Sequence, residues 1–267
     1  MADEFASATR PLTTPPAIHP RTVDVGRGVA WLGEGWRLFI PAVGPWILIV
    51  IVAIVLNVVL VFIPVLGSIS SHLLFPILMG GLMLGCRAID RGEPLTVAHL
   101  FAGFGPKAGS LLIVGLIYIA ATIAILFLVV AVIIAFFGVA VLSHLWSGRD
   151  SLSDGAALAG IALVALVGLL LFLLLYLPLV MAVWFAPALV VLQGAEPWDA
   201  MKLSFIGSVR NILPLLIYSV VWTILAIVAS IPLLLGWLVF GPVTVASIYA
   251  SYCDIFEPPR AATAAAV

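Results

Sequence analysis

The sequence predicts an all-α membrane protein, a polytopic bundle of six transmembrane helices arranged as three hairpins. Of the 267 residues, 64% are hydrophobic and only 9% are charged, whereas soluble domains average about 25% charged residues. A soluble fold could not hide so much apolar surface, because a large share of any globular surface must be polar. Two further observations support the prediction: the length of the uncharged runs and the one-sided placement of the positive charges.

Six apolar runs are long enough to cross a bilayer, for which about 20 mostly apolar residues suffice. The first two and the last two are halves of longer uncharged runs, which we split near Pro64–Ser68 and Ile231–Gly236. The fourth run contains Pro178, but no polar turn residue flanks it, so one span is predicted there rather than two. The third and fourth runs exceed one span. We assign the excess, in residues 136–176, to tilt, a proline kink or a membrane-hugging segment around Phe136–Asp154. The predicted spans are Pro45–Ile63, Ile69–Gly85, Gly109–Leu142, a run between Asp154 and Glu196, Ile212–Ser230 and Trp237–Tyr252.

Lysine and arginine lie almost entirely on one side of these spans, and Arg149 alone lies on the other. Short loops rich in these residues stay in the cytoplasm, so both termini are predicted to be cytoplasmic. A seventh span would move Lys202 and Arg210 outside and weaken the asymmetry. Residues 1–24 and 258–267 are predicted to be disordered tails that flank a membrane domain at 25–257. The positive side carries Arg10, Arg21, Arg27, Arg37, Arg87, Arg91, Lys107, Lys202, Arg210 and Arg260.

A pattern of amphipathic segments and prolines occurs three times, in units of about residues 29–94, 97–197 and 200–258. Each unit opens with a segment typical of helices at the headgroup level. This segment is followed by a proline near the outer turn, by a second proline in the returning helix and by a closing Glu-Pro. Because each unit starts and ends on one side, the repeats are predicted to be parallel, in a rough threefold bundle. The markers are Val29–Phe39, Val97–Phe104 and Ala200–Val209; Pro64, Pro178 and Pro232; Pro76, Pro187 and Pro242; and Glu93, Glu196 and Glu257.

Charged residues at the cytoplasmic ends of the second and sixth spans form a candidate interaction cluster. In one interpretation the cluster binds a lipid headgroup or a protein partner. In the other, which we favour, its members form interfacial salt bridges that hold the helix ends in place. The cluster comprises Arg87, Asp90, Glu93, Asp254 and Glu257.

Small residues spaced four apart occur on the same two spans, as Gly81 and Gly85 and as Ser247 and Ser251. Such spacing lets helix backbones approach closely in lipid. The pairs therefore predict close packing within the chain or, as the less favoured alternative, a seam between two copies.

The sequence offers no catalytic, cofactor or metal site. Cys86 and Cys253 have no histidine nearby that could activate them, and the four histidines lack the spacing of metal ligands. The net charge of -1 provides no basic patch for nucleic acid. We therefore predict a non-enzymatic protein whose partners are membrane lipids and, in addition, a second copy or other membrane proteins.

The cores of the predicted spans contain no ionisable Asp, Glu, Lys, Arg or His. Asn57 is the one strongly polar residue there, with Thr122, Ser219, Thr223 and Ser230 as milder ones. Proton pumps and most ion channels need ionisable or carbonyl-lined paths. This absence disfavours both mechanisms, but it is compatible with the movement of apolar molecules.

Four motifs stand in the first half of the chain: Gly35-Trp36-x-Leu-Phe39, Pro64-Val-Leu-Gly67, Gly85-Cys-Arg-Ala-Ile-Asp90-x-Gly92 and His99-Leu-Phe-Ala-Gly-Phe104. With them, residues 25–257 resemble a family of uncharacterised bacterial multi-pass membrane proteins. The third unit also resembles the membrane domain attached to some bacterial glycerophosphodiester phosphodiesterases. The resemblance implies a bacterial inner membrane and six helices, and it implies no activity.

Three functional hypotheses follow from these observations. The favoured one is a membrane component that interacts with lipids or other proteins. The second is a transporter or flippase-like carrier of an amphiphilic small molecule, because proline-broken helices in repeated units can enclose a cavity. The third, a lipid-modifying enzyme that uses Asp90 and Glu93, lacks a partner histidine or metal set and is disfavoured.

Overall fold

The computed structural model describes residues 19–62, 66–147 and 154–258, and within these ranges it contains helices and no strand. Two short 3-10 helices, Ile40–Ala42 and Ala102–Phe104, extend the first and fourth α-helices. The α-helices are α1 Arg27–Phe39, α2 Val43–Val61, α3 Leu66–Asp90, α4 Ala98–Phe101, α5 Ala108–Ser147, α6 Asp154–Trp184, α7 Ala186–Gln193, α8 Pro197–Arg210, α9 Ile212–Ser230 and α10 Trp237–Phe256.

Six helical stretches in the described chain are long and apolar enough to cross a membrane. They contain α2, α3, α5, α6 with α7, α9 and α10, so the chain is an all-α, multi-pass membrane protein. The fifth predicted span coincides with α9. Pro178 lies inside an unbroken α6, as the single-span prediction requires. In membranes, neighbouring groups and local adjustments satisfy the backbone groups that a helical proline releases.

Of the three explanations given for the excess length of the third and fourth spans, the structure contradicts the membrane-hugging segment over residues 136–147. Helix α5 continues without a break to Ser147, so residues 136–147 belong to it and form no separate membrane-hugging segment. At 1.5 Å per residue, its 40 residues extend about 60 Å, twice the hydrocarbon thickness of a bilayer. This apolar run contains no proline that would end the helix. The rest of that predicted segment, 148–153, and the outer-turn Pro64 lie outside the described residues.

The two ends of the bundle are distinct. We call the end with α1, α4 and α8 the terminal face, because residues 19–24 and 257–258 lie there, with the Arg21 backbone N–H bonded to the Ile255 carbonyl at 2.8 Å. The opposite end, which includes the turn at residues 231–236, is the loop face. This distinction matters because burial differs sharply between the two ends.

The buried core is concentrated at the terminal face and along α10. In the most apolar stretch of α10, 67% of the residues are buried, against 6% in those of α5 and of α6 with α7. Trp46 and Ile49 of α2 are buried, whereas the positions that follow them toward the loop face are partly or largely exposed. The helices therefore pack tightly at the terminal face and diverge toward the loop face.

The short helices of the terminal face each pack on a span. Helix α1 lies on α9 and α10, α4 with its 3-10 turn lies on α3, and α8 lies on α6 and α7. Glycines allow two of these contacts, because a side chain on Gly35 or on Gly103 would overlap the backbone of the opposing helix. Gly35 packs on Val243 and Ser247 of α10, and Gly103 packs on Ile77 and Gly81 of α3.

Candidate functional site

An intramembrane cavity of about 490 Å³ lies where α2, α3, α5, α6, α7 and α10 meet. Most of its wall is apolar, with Phe75, Trp184 and Ile248 among the lining side chains. The polar groups in the wall are the amide of Asn57 and the hydroxyls of Tyr118 and Tyr176. A mainly apolar cavity with a few convergent polar groups is the usual form of a small-molecule site.

The two tyrosines form a hydroxyl pair across the middle hairpin. The Tyr118 and Tyr176 hydroxyl oxygens are 2.5 Å apart, and the pair joins α5 to α6. The Thr122 hydroxyl, one turn along α5, donates to the Tyr118 carbonyl at 2.8 Å. The sequence analysis missed this pair. Its available signal was that each of these two long apolar helices contains a single tyrosine.

Asn57, the polar core residue singled out from the sequence, faces this cavity. Its side chain is exposed, and it forms no hydrogen bond with any other residue that the structure describes. Asn57 lies about 21 Å along α2 from Val43, and Tyr118 about 15 Å along α5 from Ala108. Both therefore lie at the depth of the hydrocarbon core, where water offers no alternative partner.

Two more clefts adjoin this cavity. One of about 430 Å³ lies between α2, α3 and α10, with Trp46, Leu82 and Pro242 in its wall, and it meets the first at Asn57. The other, of about 270 Å³, separates α6 from α9. Helix α6 therefore has a cleft on each side, so the middle hairpin is held mainly by contacts nearer the terminal face.

A bend at Phe185 separates α6 from α7 beside the first cavity. The Ser204 hydroxyl of α8 donates to the Met181 carbonyl at 2.7 Å, and the Phe185 N–H donates to the same hydroxyl at 3.0 Å. These bonds use backbone groups at the end of α6 that the interrupted helix leaves unpaired. The break that the sequence analysis considered at Pro178 thus occurs seven residues later, at Phe185, and close to the terminal face.

The terminal face has a polar layer centred on Asp254. The Arg27 guanidinium forms an ion pair with Asp254 at 2.5 Å and with Glu34 at 2.6 Å. The Trp31 indole N–H donates to the same Asp254 carboxylate at 2.7 Å. Asn211, which is buried, accepts from the Val23 N–H at 2.9 Å and so attaches the N-terminal segment to α8. The sequence analysis did not predict a role for Arg27, Trp31 or Asn211, because their partners are distant in the chain.

The predicted interaction cluster divides between two places. Asp254 bonds to α1, while Arg87 of α3 forms an ion pair with Glu257 just after α10. The Tyr249 hydroxyl donates to the exposed Asp90 at 3.2 Å, and Glu93 is exposed. Three of the five members thus form ion pairs within the chain that join α1 and α3 to the end of α10.

The small residues of α3 and α10 lie in contacts within the chain. A side chain on Gly81 would meet the backbone of His99 and Leu100, and one on Gly85 would meet Leu95. The Ser247 hydroxyl is 2.8 Å from that of Tyr218. The Ser251 hydroxyl is buried and donates to the Ile248 carbonyl at 2.8 Å.

The chemistry available at the cavity is binding. Among the lining side chains that the structure describes there is no carboxylate, amine, imidazole or thiol, and Cys86 and Cys253 are buried elsewhere, outside any disulfide bond. No group of three or more His, Cys, Asp or Glu residues in the described chain could hold a metal ion.

Comparison with protein-family models, curated protein sequences and solved structures finds no significant match. A function must accordingly be sought in the geometry of this chain.

Proposed function

We propose that this chain is a non-enzymatic, multi-pass component of a bacterial inner membrane, and that it binds a membrane lipid or another amphiphile between its helices. The observation that carries this proposal is the cavity of about 490 Å³ at hydrocarbon depth, with apolar walls and the exposed amide of Asn57. An amide in hydrocarbon that has no partner costs several kcal/mol. A ligand with a hydrogen-bonding group would remove that cost.

The proposed orientation places the terminal face in the cytoplasm. All eight lysines and arginines that the structure describes lie at that end of the bundle, and the positive-inside rule assigns such a side to the cytoplasm. A C-terminal fusion to a fluorescent protein should fluoresce, whereas a fusion to a periplasmic phosphatase should be inactive. The reverse pair of results would contradict the proposed orientation, but it would not test the proposed binding.

Native lipid particles provide the test of binding. The chain would be extracted in a polymer that retains the surrounding bilayer, and its bound molecules identified by mass spectrometry after exchange into lipid-free detergent. We expect a stoichiometric amphiphile to survive the exchange. Asn57→Leu should lower its occupancy, because the hydrogen bond to the head group is lost.

The matched control is Thr223→Val. This hydroxyl is exposed on α9, donates to its own helix at 2.7 Å and does not line the cavity. Occupancy should stay at the wild-type level in this variant. A chain that repeatedly emerges without any bound amphiphile would contradict the proposal. The same particles would retain a second copy or another membrane protein, if one accompanies the chain.

A second candidate function is that of a carrier, and the clefts on both sides of α6 favour it. The middle hairpin has few partners near the loop face, and the bend at Phe185 provides a place where it could pivot. Carriers of this kind move one bundle against another around a central site. Vesicles reconstituted with the chain should then move a labelled amphiphile between leaflets faster than protein-free vesicles. Equal rates in vesicles with and without the protein would contradict transport and leave binding as the proposed function.

A further inference from the structure

The route into the cavity follows from burial on either side of it. The lining includes Met79, Pro187 and Ile248. One turn closer to the terminal face than these residues, large side chains fill the wall. Met83 and Tyr252 are fully buried there, as is Leu189, two residues after Pro187. Protein interiors packed in this way contain few voids larger than a water molecule. The cavity is therefore closed toward the terminal face.

Toward the loop face, by comparison, described side chains on the helices around the cavity are exposed. On α2 the residues beyond Asn57, Val58 and Val59, are 50% and 54% exposed, and on α6 Leu174 is 70% exposed. All of these side chains are aliphatic, so they favour hydrocarbon rather than water as their neighbour. A molecule already dissolved in the bilayer can reach Asn57 past these aliphatic side chains.

The lining also constrains the head group of the ligand. An ion taken into the hydrocarbon core needs an opposite charge or several hydrogen bonds, and the part of the lining that the structure describes contains no charged residue. The Asn57 amide can both donate and accept one or more hydrogen bonds. This donor and acceptor set suits a hydroxyl, an ester or an amide. The volume of about 490 Å³ suits one hydrocarbon chain with a small head group.

We infer that the cavity takes a neutral, single-chain amphiphile from the bilayer, with its one hydrogen-bonding head group at Asn57. This inference rests on the proposed function, that the cavity binds an amphiphile, and it adds the chemical class of that molecule. A long-chain alcohol is the simplest member of the class. A two-chain anionic phospholipid differs from this class in both charge and chain number, and a single-chain quaternary ammonium differs in charge alone. A short, water-soluble alcohol reaches the protein from water rather than from the bilayer.

Photolabelling of the reconstituted full chain separates these possibilities. The probe is hexadecanol with a diazirine in its chain, and the labelled peptides are located by mass spectrometry. Parallel samples receive phosphatidylglycerol or hexadecyltrimethylammonium with the same diazirine. We expect hexadecanol to label peptides that contain Phe75 and Trp184, and excess unlabelled hexadecanol to suppress this labelling. Excess butanol should leave it unchanged.

Variants at one position complete the test. Asn57→Leu should lower the suppressible labelling by hexadecanol about fivefold, the effect of one lost hydrogen bond, and Asn57→Ser should retain part of it. Thr223→Val should label as the wild type does. Asn57 contacts no described partner through a hydrogen bond, so these variants should elute from size exclusion like the wild type.

Each remaining result has a definite meaning. Suppressible cavity labelling by phosphatidylglycerol or by the quaternary amine, but not by hexadecanol, would overturn the inferred class and leave the proposed function standing. Equal labelling of Asn57→Leu and wild type would remove Asn57 as the head-group site and overturn the inference. Absence of suppressible labelling with every probe would overturn both the inference and the proposed function.

Discussion

Helices α10 and α6 both belong to membrane spans and both contain a proline, but they occupy opposite environments. Helix α10 is buried along most of its length, and its polar groups bond to α1, α3 and α9. Helix α6 exposes leucines along most of its length and has a cleft on each side. Protein encloses most of α10, whereas α6 packs on α5 and α8 and leaves much of its surface exposed.

Their sequences differ accordingly. Among the six spans, the stretch with α10 has the lowest hydropathy and the largest buried fraction. Helix α3 has the second-lowest hydropathy and the second-largest buried fraction. The four more hydrophobic spans have only 6% to 11% of their residues buried. Lipid accepts only apolar side chains, whereas a protein environment can satisfy hydroxyls and carboxylates. A comparatively polar span in such a chain therefore marks the centre of the bundle.

The largest expected effect comes from glycine positions in the two environments. A Cβ on Gly35 would lie 2.6 Å from the Val243 carbonyl oxygen of α10, whereas one on Gly160 of α6 has nothing within 4 Å. Gly35→Ala should push α1 off α10 and destabilise the fold by about 3 kcal/mol. Gly160→Ala should be neutral or stabilise it by up to about 1 kcal/mol, because alanine favours a helix.

Unfolding in mixed detergent micelles, followed by tryptophan fluorescence, measures both glycine variants. If Gly35→Ala unfolds too readily to be measured, its yield after size exclusion still ranks it against Gly160→Ala. Equal stabilities would mean that α1 does not pack on α10 as closely as described. That result would remove the main contact that distinguishes α10 from α6.

The sequence predicted the spans well, because charged residues bracket the apolar runs. Asn57 was also identified, because one amide stands out in an apolar span. The contacts between distant elements could not be predicted. Arg27 and Asp254 are 227 positions apart, and no local pattern indicates that the first helix packs on the last. A helix that is apolar all round, such as α6, does not reveal which face meets protein, so the cavity and its tyrosine pair were missed.

A smaller effect is expected from the ion pair that joins α1 to α10. Arg27 and Asp254 are 34% and 26% exposed, so solvent screens their attraction in part. Asp254→Asn should cost about 1 kcal/mol, since it also weakens the bond from the Trp31 indole. Asp199→Asn removes a pair with Lys202 whose members are 67% and 55% exposed, and it should change stability very little.

A double-mutant cycle with Arg27→Gln isolates the pairwise part of this effect. A coupling energy near zero for Arg27 and Asp254 would show that the polar layer does not hold α1 on α10. In that case the glycine contact at Gly35 alone would account for the attachment.

The smallest expected effect concerns hydroxyl pairs, for which each environment offers one example. Tyr218→Phe removes a bond to Ser247 that is buried between α9 and α10, and it should cost about 0.6 kcal/mol. Tyr176→Phe removes the bond to Tyr118 between α5 and α6, and it should cost less than Tyr218→Phe because this pair is only partly buried. Hydrogen bonds between transmembrane helices average only about 0.6 kcal/mol, because the separated helices find other partners.

The same unfolding measurement compares the two tyrosine variants. The difference between them should persist after bound amphiphile is removed, because it arises from burial and not from the ligand. If Tyr176→Phe proves as costly as Tyr218→Phe, the middle hairpin is held more firmly than its clefts suggest. A firmly held α6 would also weaken the case for a pivot at Phe185 and for a carrier, while the cavity would remain a binding site.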